Sequence, residues 1–107
     1  MTSSLCGTYI EKAGENIPYD MTIEYYMTEE LLCSRYSDLK RYGVIVKKTC
    51  SFPDGTATGE EKQINDIFYR KSDADDFLDM LIRNRVTPMA VEEIIQEYIC
   101  NKLVALR

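Results

Sequence analysis

Apolar and polar residues alternate along two segments in the first half of the chain, 22–28 and 42–47. The apolar positions on one side of these segments are Ile23, Tyr25, Met27, Tyr42, Val44 and Val46. A period of two is typical of a strand with one buried face, and the β-branched and aromatic residues here favour strands as well. Because the polar connection 34–38 separates the two segments, they are predicted to form a hairpin.

Two further strands are predicted on either side of this hairpin. Residues 62–69 follow the turn-forming sequence Pro53-Asp54-Gly55 and are predicted as a strand. Asn65 and Asp66 interrupt its apolar positions, which indicates a bulge, a strand buried on both faces or a binding site. Near the N-terminus, residues 5–10 are predicted either as a short extra strand or as part of a mobile arm.

The spacing of apolar residues changes to a helical period in the last third of the chain. A first helix is predicted from Ser72, its N-cap, to about Arg83. Its apolar stripe consists of Ala74, Phe77, Leu78, Leu81 and Ile82. Thr87 and Pro88 are predicted to start a second helix that runs nearly to the C-terminus. Its stripe consists of Val91, Ile94, Ile95, Tyr98, Ile99, Lys102, Leu103 and Leu106. The short connection between the helices predicts a helical hairpin.

The simplest packing of these elements is an antiparallel meander of three to four strands with both helices on one face. This arrangement belongs to the α+β class. We expect a single domain that consists of an extra strand or mobile arm (1–20), the meander (21–70) and the helical hairpin (72–106). The other sheet face carries Tyr26 and Ile45, together with Ile67 or Tyr69. Because an uncovered apolar patch usually marks an interface, we expect Tyr26 and Ile45 to lie in the contact of a homo-oligomer.

The composition narrows the possible functions. The 107 residues include 18 Asp and Glu against 13 Lys and Arg, a net charge of −5, which argues against binding to a nucleic-acid backbone. No His is present, which excludes an imidazole base and a His metal ligand. No nucleotide-binding, hydrolase or metalloprotease motif occurs. We therefore expect no catalytic residues, no metal and no cofactor; an enzyme that uses carboxylate or Cys50 chemistry is a distant alternative.

The cysteines and the absence of long apolar runs predict the cellular compartment in which the protein is found. Cys6, Cys33, Cys50 and Cys100 fit no zinc or redox spacing, so they are expected to be reduced and mostly buried thiols. Neither a basic leader with an apolar core nor a membrane-spanning run is present. We expect a cytoplasmic protein without membrane contact.

Cations cluster in two places that are candidates for binding an anion. The first combines cations with tyrosines and consists of Arg35, Tyr36, Lys40, Arg41, Tyr42, Lys47 and Lys48. Arg can hold a phosphate while Tyr stacks a base, although a charged hairpin can also simply protect a sheet edge. The second is Arg83 and Arg85, beside the start of the second predicted helix, where they either bind an anion or cap the first helix. The candidate ligand-binding residues are Asn65, Arg83, Arg85, Arg41 and Tyr42.

Four segments of the chain carry a resemblance to known sequences. They are Arg41-Tyr42-Gly43-Val44, Ile64-Asn65-Asp66-Ile67, Arg83-Asn84-Arg85-Val86-Thr87-Pro88 and Ile94-Ile95-Gln96-Glu97-Tyr98-Ile99. In these segments the chain resembles a family of small uncharacterised proteins, a domain of unknown function, from clostridia-like bacteria and their phages. The resemblance covers about residues 22–100 and implies a sheet followed by two helices. The layout is also similar to that of phage anti-defence proteins that oligomerise and sequester nucleotide signals, such as those opposing the Thoeris system. That similarity implies ligand roles for Asn65, Arg83 and Arg85.

These observations favour a non-catalytic binding protein. The leading hypothesis is an oligomer that sequesters a small anionic nucleotide-type signal and serves as a phage anti-defence protein. The alternative is an acidic inhibitor or regulatory subunit that acts on another protein through its sheet face.

Overall fold

A computed structural model describes residues 2–15, 17–33 and 38–105. The elements in chain order are β1 (Thr2–Glu11), β2 (Asp20–Cys33), β3 (Asp38–Ser51), β4 (Ala57–Phe68), α1 (Lys71–Arg83) and α2 (Pro88–Ala105). The predicted α+β class is confirmed, and the meander has four strands. Arg35 and Tyr36 of the predicted basic hairpin lie outside the described residues, as does Leu106 of the second helical stripe.

The four strands form one antiparallel sheet in which each strand pairs with its neighbours in sequence, in the order β1-β2-β3-β4. The predicted strand near the N-terminus is present and longer than expected, since β1 pairs with β2 from Thr2 opposite Glu29 to Glu11 opposite Met21. The two central strands, β2 and β3, extend beyond the ends of β1 and β4. Residues 30–33 and 38–41 pair only with each other, as a two-stranded ribbon that projects beyond the rest of the sheet.

Both helices pack on one face of the sheet, here called the inner face. The alternation predicted for β2 and β3 is confirmed, because Ile23, Tyr25, Val44 and their same-face neighbours are buried under the helices. The buried core consists of Ile23, Tyr25, Met27, Tyr42, Val44, Val46, Phe68, Ala74, Phe77, Leu78, Leu81, Val86, Val91 and Ile95. In this core, the ring centre of Phe77 lies 5.5 Å from that of Phe68 in β4 and 5.1 Å from that of Tyr98 in α2. Most residues of the predicted helical stripes therefore supply the helical half of the core, but Ile99 of the second stripe is exposed, so its assignment to the core is wrong.

The start of α1 differs from the prediction. The helix begins at Lys71 with Arg70 as the N-cap, and no side chain caps it, so the assignment of Ser72 as N-cap is wrong. The Ala74 N–H donates to the Arg70 carbonyl at 3.3 Å, which places Ser72 already inside the first turn. The carboxylate of Asp73 in that turn has the sign that the helix dipole favours.

The cysteines also differ in part from expectation. Cys50 of β3 is buried, as expected for an inert thiol. Cys6 and Cys100 are exposed free thiols, so the expectation of mostly buried cysteines is wrong for these two. Cys6 occupies a bulge in β1 between Leu5 and Gly7, where it has no register partner on β2.

The corner between the helices is closed by a C-terminal capping motif. Arg85 has a left-handed backbone with φ 52°, and its N–H donates to the Ile82 carbonyl at 3.2 Å. The Val86 N–H donates to the Leu81 carbonyl at 3.0 Å, which completes a Schellman motif. Val86 is buried, so the motif reverses the chain and anchors it to the core at the same point.

Tyr25 ties this corner to the centre of the sheet. Its hydroxyl donates to the Val86 carbonyl at 2.9 Å, and its side chain is fully buried. Burial raises the pKa of Tyr25 to about 12, because the charged phenolate is poorly solvated in the core. The neutral phenol is therefore the form that the fold stabilises.

Tyr25→Phe is expected to lower the free energy of unfolding by about 1–2 kcal/mol, because the buried Val86 carbonyl loses its donor. In the wild type the raised pKa contributes stability that is full below pH 10 and is lost as the pH rises towards about 12. Urea unfolding of both proteins at neutral and alkaline pH measures this. The Tyr25→Phe variant should lack this part of the alkaline loss; an identical alkaline profile would contradict the role of Tyr25.

Candidate functional site

The sheet face opposite the helices, here called the outer face, carries a row of side chains across all four strands that is apolar on the first three. The residues in this row, in register from β1 to β4, are Leu5, Tyr26, Ile45 and Gln63. Ile45 is only 7% exposed, whereas Leu5 at the β1 edge is 55% exposed. Tyr26 and Ile45, predicted as interface residues, thus lie side by side on the face that no helix covers.

The neighbouring row on the outer face is charged. Its residues are Thr8, Glu24, Lys47 and Glu61 in register. The Tyr26 hydroxyl donates to Glu24 Oε2 at 2.9 Å, and Lys47 Nζ lies 5.2 Å from the centre of the Tyr26 ring. The hydrogen bond to Glu24 is the main reason that the pKa of Tyr26 is raised. These contacts hold the Tyr26 ring in one orientation between an anion and a cation.

A bulge in β4 interrupts the sheet beside this face. Tyr42 pairs with Phe68 and Val44 with Ile64, so three residues of β4 lie opposite Gly43 alone. Asp66 in the bulge has φ 59°, a left-handed conformation that Asp tolerates better than most residues. A Cβ at position 43 would overlap the Ile64 carbonyl oxygen and lie 3.0 Å from Asn65 Cα. Glycine at 43 is therefore required for the bulge that was predicted from Asn65 and Asp66.

The bulge creates a polar corner on the outer face, here called the Arg41 corner, which consists of Arg41, Tyr69 and Asn65. The guanidinium carbon of Arg41 lies 4.0 Å from the centre of the Tyr69 ring, and Tyr69 is 72% exposed. Arg41 Nε is buried, and no hydrogen-bond partner for it lies within the described part of the chain. Asn65 Oδ1 accepts from Gln63 Nε2 at 2.8 Å, which places the Asn65 side chain on the outer face too.

The structure corrects one predicted ligand residue and adds another. Tyr42 is 8% exposed and packs in the core on the inner face, so it has no free ring face on which a base could stack. Its neighbour Arg41 faces the opposite way, because adjacent strand residues alternate. Tyr69 takes the aromatic position beside Arg41. Strand alternation alone places Tyr69 on the outer face, and the two extra residues of the bulge bring it, instead of Ile67, level with Arg41.

The two arginines of the helix corner lie on the other side of the sheet. The Arg85 guanidinium stacks on Tyr9 of β1 at 4.5 Å, and Arg85 Nη1 donates to the Tyr9 hydroxyl at 3.3 Å. Arg83 Nε donates to the Asp79 carbonyl at 3.4 Å within the last turn of α1. The five predicted ligand residues therefore do not form one site: Arg41 and Asn65 share the outer face, Arg83 and Arg85 lie at the helix corner, and Tyr42 is buried.

The depression beside Arg83 has little capacity for an anion. It is shallow and is lined by Asp76, Asp79, Ile82 and Arg83. Two carboxylates next to one guanidinium oppose a negatively charged ligand. In the residues that the structure describes, no three Cys, Asp or Glu side chains converge as a possible metal site. Within the same residues, no helix combines the length and the apolar character needed to cross a bilayer.

Comparison with known proteins identifies the family. No curated protein and no solved structure matched this chain. A family of unknown function, DUF6514, matches residues 8–101, which extend from the middle of β1 into α2. The resemblance to an uncharacterised family is thus confirmed over most of the sheet and both helices. The chain belongs to DUF6514, a family of unknown function.

Proposed function

We propose that this protein is a non-catalytic binding protein whose Arg41 corner takes a small anionic ligand that also carries a flat ring, such as a nucleotide. One observation carries the proposal. The Arg41 guanidinium is stacked on an exposed aromatic ring while its Nε has no hydrogen-bond partner in the described chain. A ligand oxygen would accept from the guanidinium N–H groups, whose charge is not used by a partner at Nε.

The chemistry of the corner suits both parts of such a ligand. A guanidinium has five N–H donors in one plane and binds phosphate through charge-assisted hydrogen bonds. The stack on Tyr69 fixes that plane, so less side-chain freedom is lost on binding. The exposed Tyr69 ring and the Asn65 amide at the bulge supply a stacking surface and a hydrogen-bonding edge for a base.

Binding without turnover agrees with the composition. The chain has no His to serve as a base near neutral pH, and its net charge of −5 favours a small anion held by one local cation over a long polyanion. Sequestration of a nucleotide signal, as in the phage anti-defence proteins that the layout resembles, is the form of binding that we propose.

Isothermal titration with a panel of cyclic dinucleotides, cyclic trinucleotides and inorganic phosphate tests the proposal. At least one nucleotide is expected to bind, and Arg41→Ala is expected to weaken it about 10- to 100-fold, because a charge-assisted hydrogen bond is lost. Tyr69→Ala should weaken nucleotides but not phosphate. The matched control is Arg85→Ala, which removes an equivalent stacked arginine on the other side of the sheet. Binding that is unchanged in Arg41→Ala, or no binding to any probe, would overturn the proposal.

The exposure of Leu5 and Ile10 on the outer face favours a second candidate function, the regulation of another protein through this face. That function needs the outer face to be free for a different protein. An outer face that binds a second copy of this chain would exclude it, so the oligomeric state in solution is the measurement that decides.

A further inference from the structure

Charges on the outer face separate by sign between the two central strands. On β2 the charged residues facing this side are Asp20, Glu24 and Glu30, and on β3 they are Lys47 and Arg41. Glu24 lies directly opposite Lys47 and Glu30 opposite Arg41, whereas Asp20 at the start of β2 lies opposite Ser51. One strand therefore presents anions and the next presents cations at the same heights along the sheet.

This pattern is self-complementary for one symmetry. Two copies can stack with their outer faces together, related by a two-fold axis that runs parallel to the strands above the gap between β2 and β3. This rotation places β2 of one copy over β3 of the other. It leaves the position of each residue along the strand direction unchanged. Glu24 of each copy then faces Lys47 of the other copy, and Tyr26 faces Ile45. Closed pairs with one two-fold axis are the commonest oligomers.

We propose that the outer face binds a second copy of this chain across a two-fold axis parallel to β2 and β3. The interface centre is the row of Leu5, Tyr26, Ile45 and Gln63, which is apolar on its first three strands and is flanked by reciprocal contacts between Glu24 and Lys47. This inference does not depend on the proposed ligand.

The size and shape of the molecule suit this contact. The molecule measures 56 × 31 × 17 Å, so it is a slab whose broad side is the sheet. A stable interface needs roughly 800 Å² from each copy, which is about half of a face with these dimensions. The exposed apolar side chains of Leu5 and Ile10 on the outer face would be removed from water by such a contact.

The Arg41 corner stays outside the centre of this interface. Stacked sheets cross at an angle of roughly 30° because of their twist, so rows near the axis stay in register and distant rows diverge. Glu24 and Lys47 lie in the row next to the apolar centre, whereas Arg41 is four residues along β3 from Ile45. Pairing across the copies is therefore expected at the Glu24 row, and the Arg41 corner remains at the rim, open to a ligand.

Charge reversal tests the proposal by sedimentation equilibrium. The wild type is expected to be dimeric. Glu24→Lys and Lys47→Glu should each raise the dimer dissociation constant about 100-fold or more, because like charges would face each other across the axis. The double variant should regain the homodimer.

An equimolar mixture of the two single variants should form a heterodimer. In this pair, the lysine introduced at position 24 of one chain faces the glutamate introduced at position 47 of the other. The native Lys47 and Glu24 face each other at the second contact. Each single variant keeps two like charges side by side in its own sheet, so recovery in the mixture can arise only across the axis.

The matched control is Lys48→Glu, at the next residue on β3, which faces the inner side and should leave the dimer intact. A monomeric wild type at every soluble concentration, a dimer unaffected by Glu24→Lys, or a mixture that stays monomeric would overturn the proposal.

A second pair of variants covers the case in which a charge reversal prevents folding. Leu5→Glu and Met89→Glu both place a charge at an exposed apolar position, and Met89 is 82% exposed at the start of α2 on the helix side. The Leu5 variant should dissociate the dimer and the Met89 variant should not. Equal behaviour of the two variants would contradict the assignment of the interface to the outer face.

Discussion

Phe77→Ala is expected to lower the free energy of unfolding by about 3–5 kcal/mol, the range for removing a fully buried aromatic ring. Phe77 has no exposed surface and contacts the rings of Phe68 and Tyr98. One side chain thus joins α1 to both β4 and α2. The cavity left by the ring cannot close without moving a helix relative to the sheet.

Urea unfolding followed by circular dichroism measures this loss. The control is Phe52→Ala, because Phe52 is half-buried in the loop after β3 and pairs with Tyr19 at 5.2 Å, away from the core. Its loss should be about 1 kcal/mol, typical of a peripheral substitution. Equal losses for the two variants would show that Phe77 does not join the three elements.

Gly43→Ala is the second substitution with a large expected effect, a loss of about 1–3 kcal/mol from steric overlap. The added Cβ would overlap the Ile64 carbonyl oxygen and lie 2.7 Å from Thr28 Oγ1. The backbone of the β4 bulge would have to move, and Asn65 and the Tyr69 ring would move with it. We therefore expect the substitution to weaken ligand binding at the Arg41 corner as well as stability.

Gly59→Ala is the matched control for this experiment, because Gly59 lies in β4, the strand that carries the bulge, without a tight contact. A Cβ there would have the Lys48 carbonyl oxygen as its nearest neighbour, at 3.9 Å. Stability should be unchanged or slightly increased, since Ala has less freedom than Gly in the unfolded chain. Thermal unfolding of both variants decides the point; a Gly43 variant as stable as the Gly59 variant would contradict the tight contact at the bulge.

Periodicity predicted the parts of the fold that follow one regular repeat. Phe77, Leu78 and Leu81 recur at helical spacing and are buried, and Ile23 and Tyr25 on their strand behave likewise. These positions are predictable because burial of one face imposes the period of the element on the sequence. The start of α1 was misplaced because its capping depends on backbone geometry at Arg70 and not on a capping side chain.

The candidate site was harder to predict because it depends on two departures from regular structure. The bulge in β4 shifts the register by two residues after Ile64, so that Tyr69 and not Ile67 comes level with Arg41. Tyr42 alternates in step with Val44, so its own strand pattern indicated burial and not ligand stacking. Arg85 meets Tyr9 through a left-handed corner, a contact between residues far apart in sequence that no local pattern contains.

The two-stranded ribbon formed by residues 30–33 and 38–41 is expected to unfold locally at a lower free energy than the part of the sheet that the helices cover. Leu31 and Leu39 of the ribbon are exposed, and neither β1 nor β4 pairs with it. An isolated pair of strands is marginally stable in water. Its hydrogen bonds can therefore break and reform at a small fraction of the global unfolding free energy. This end of the protein can change its backbone shape while the packed layers beneath the helices stay intact.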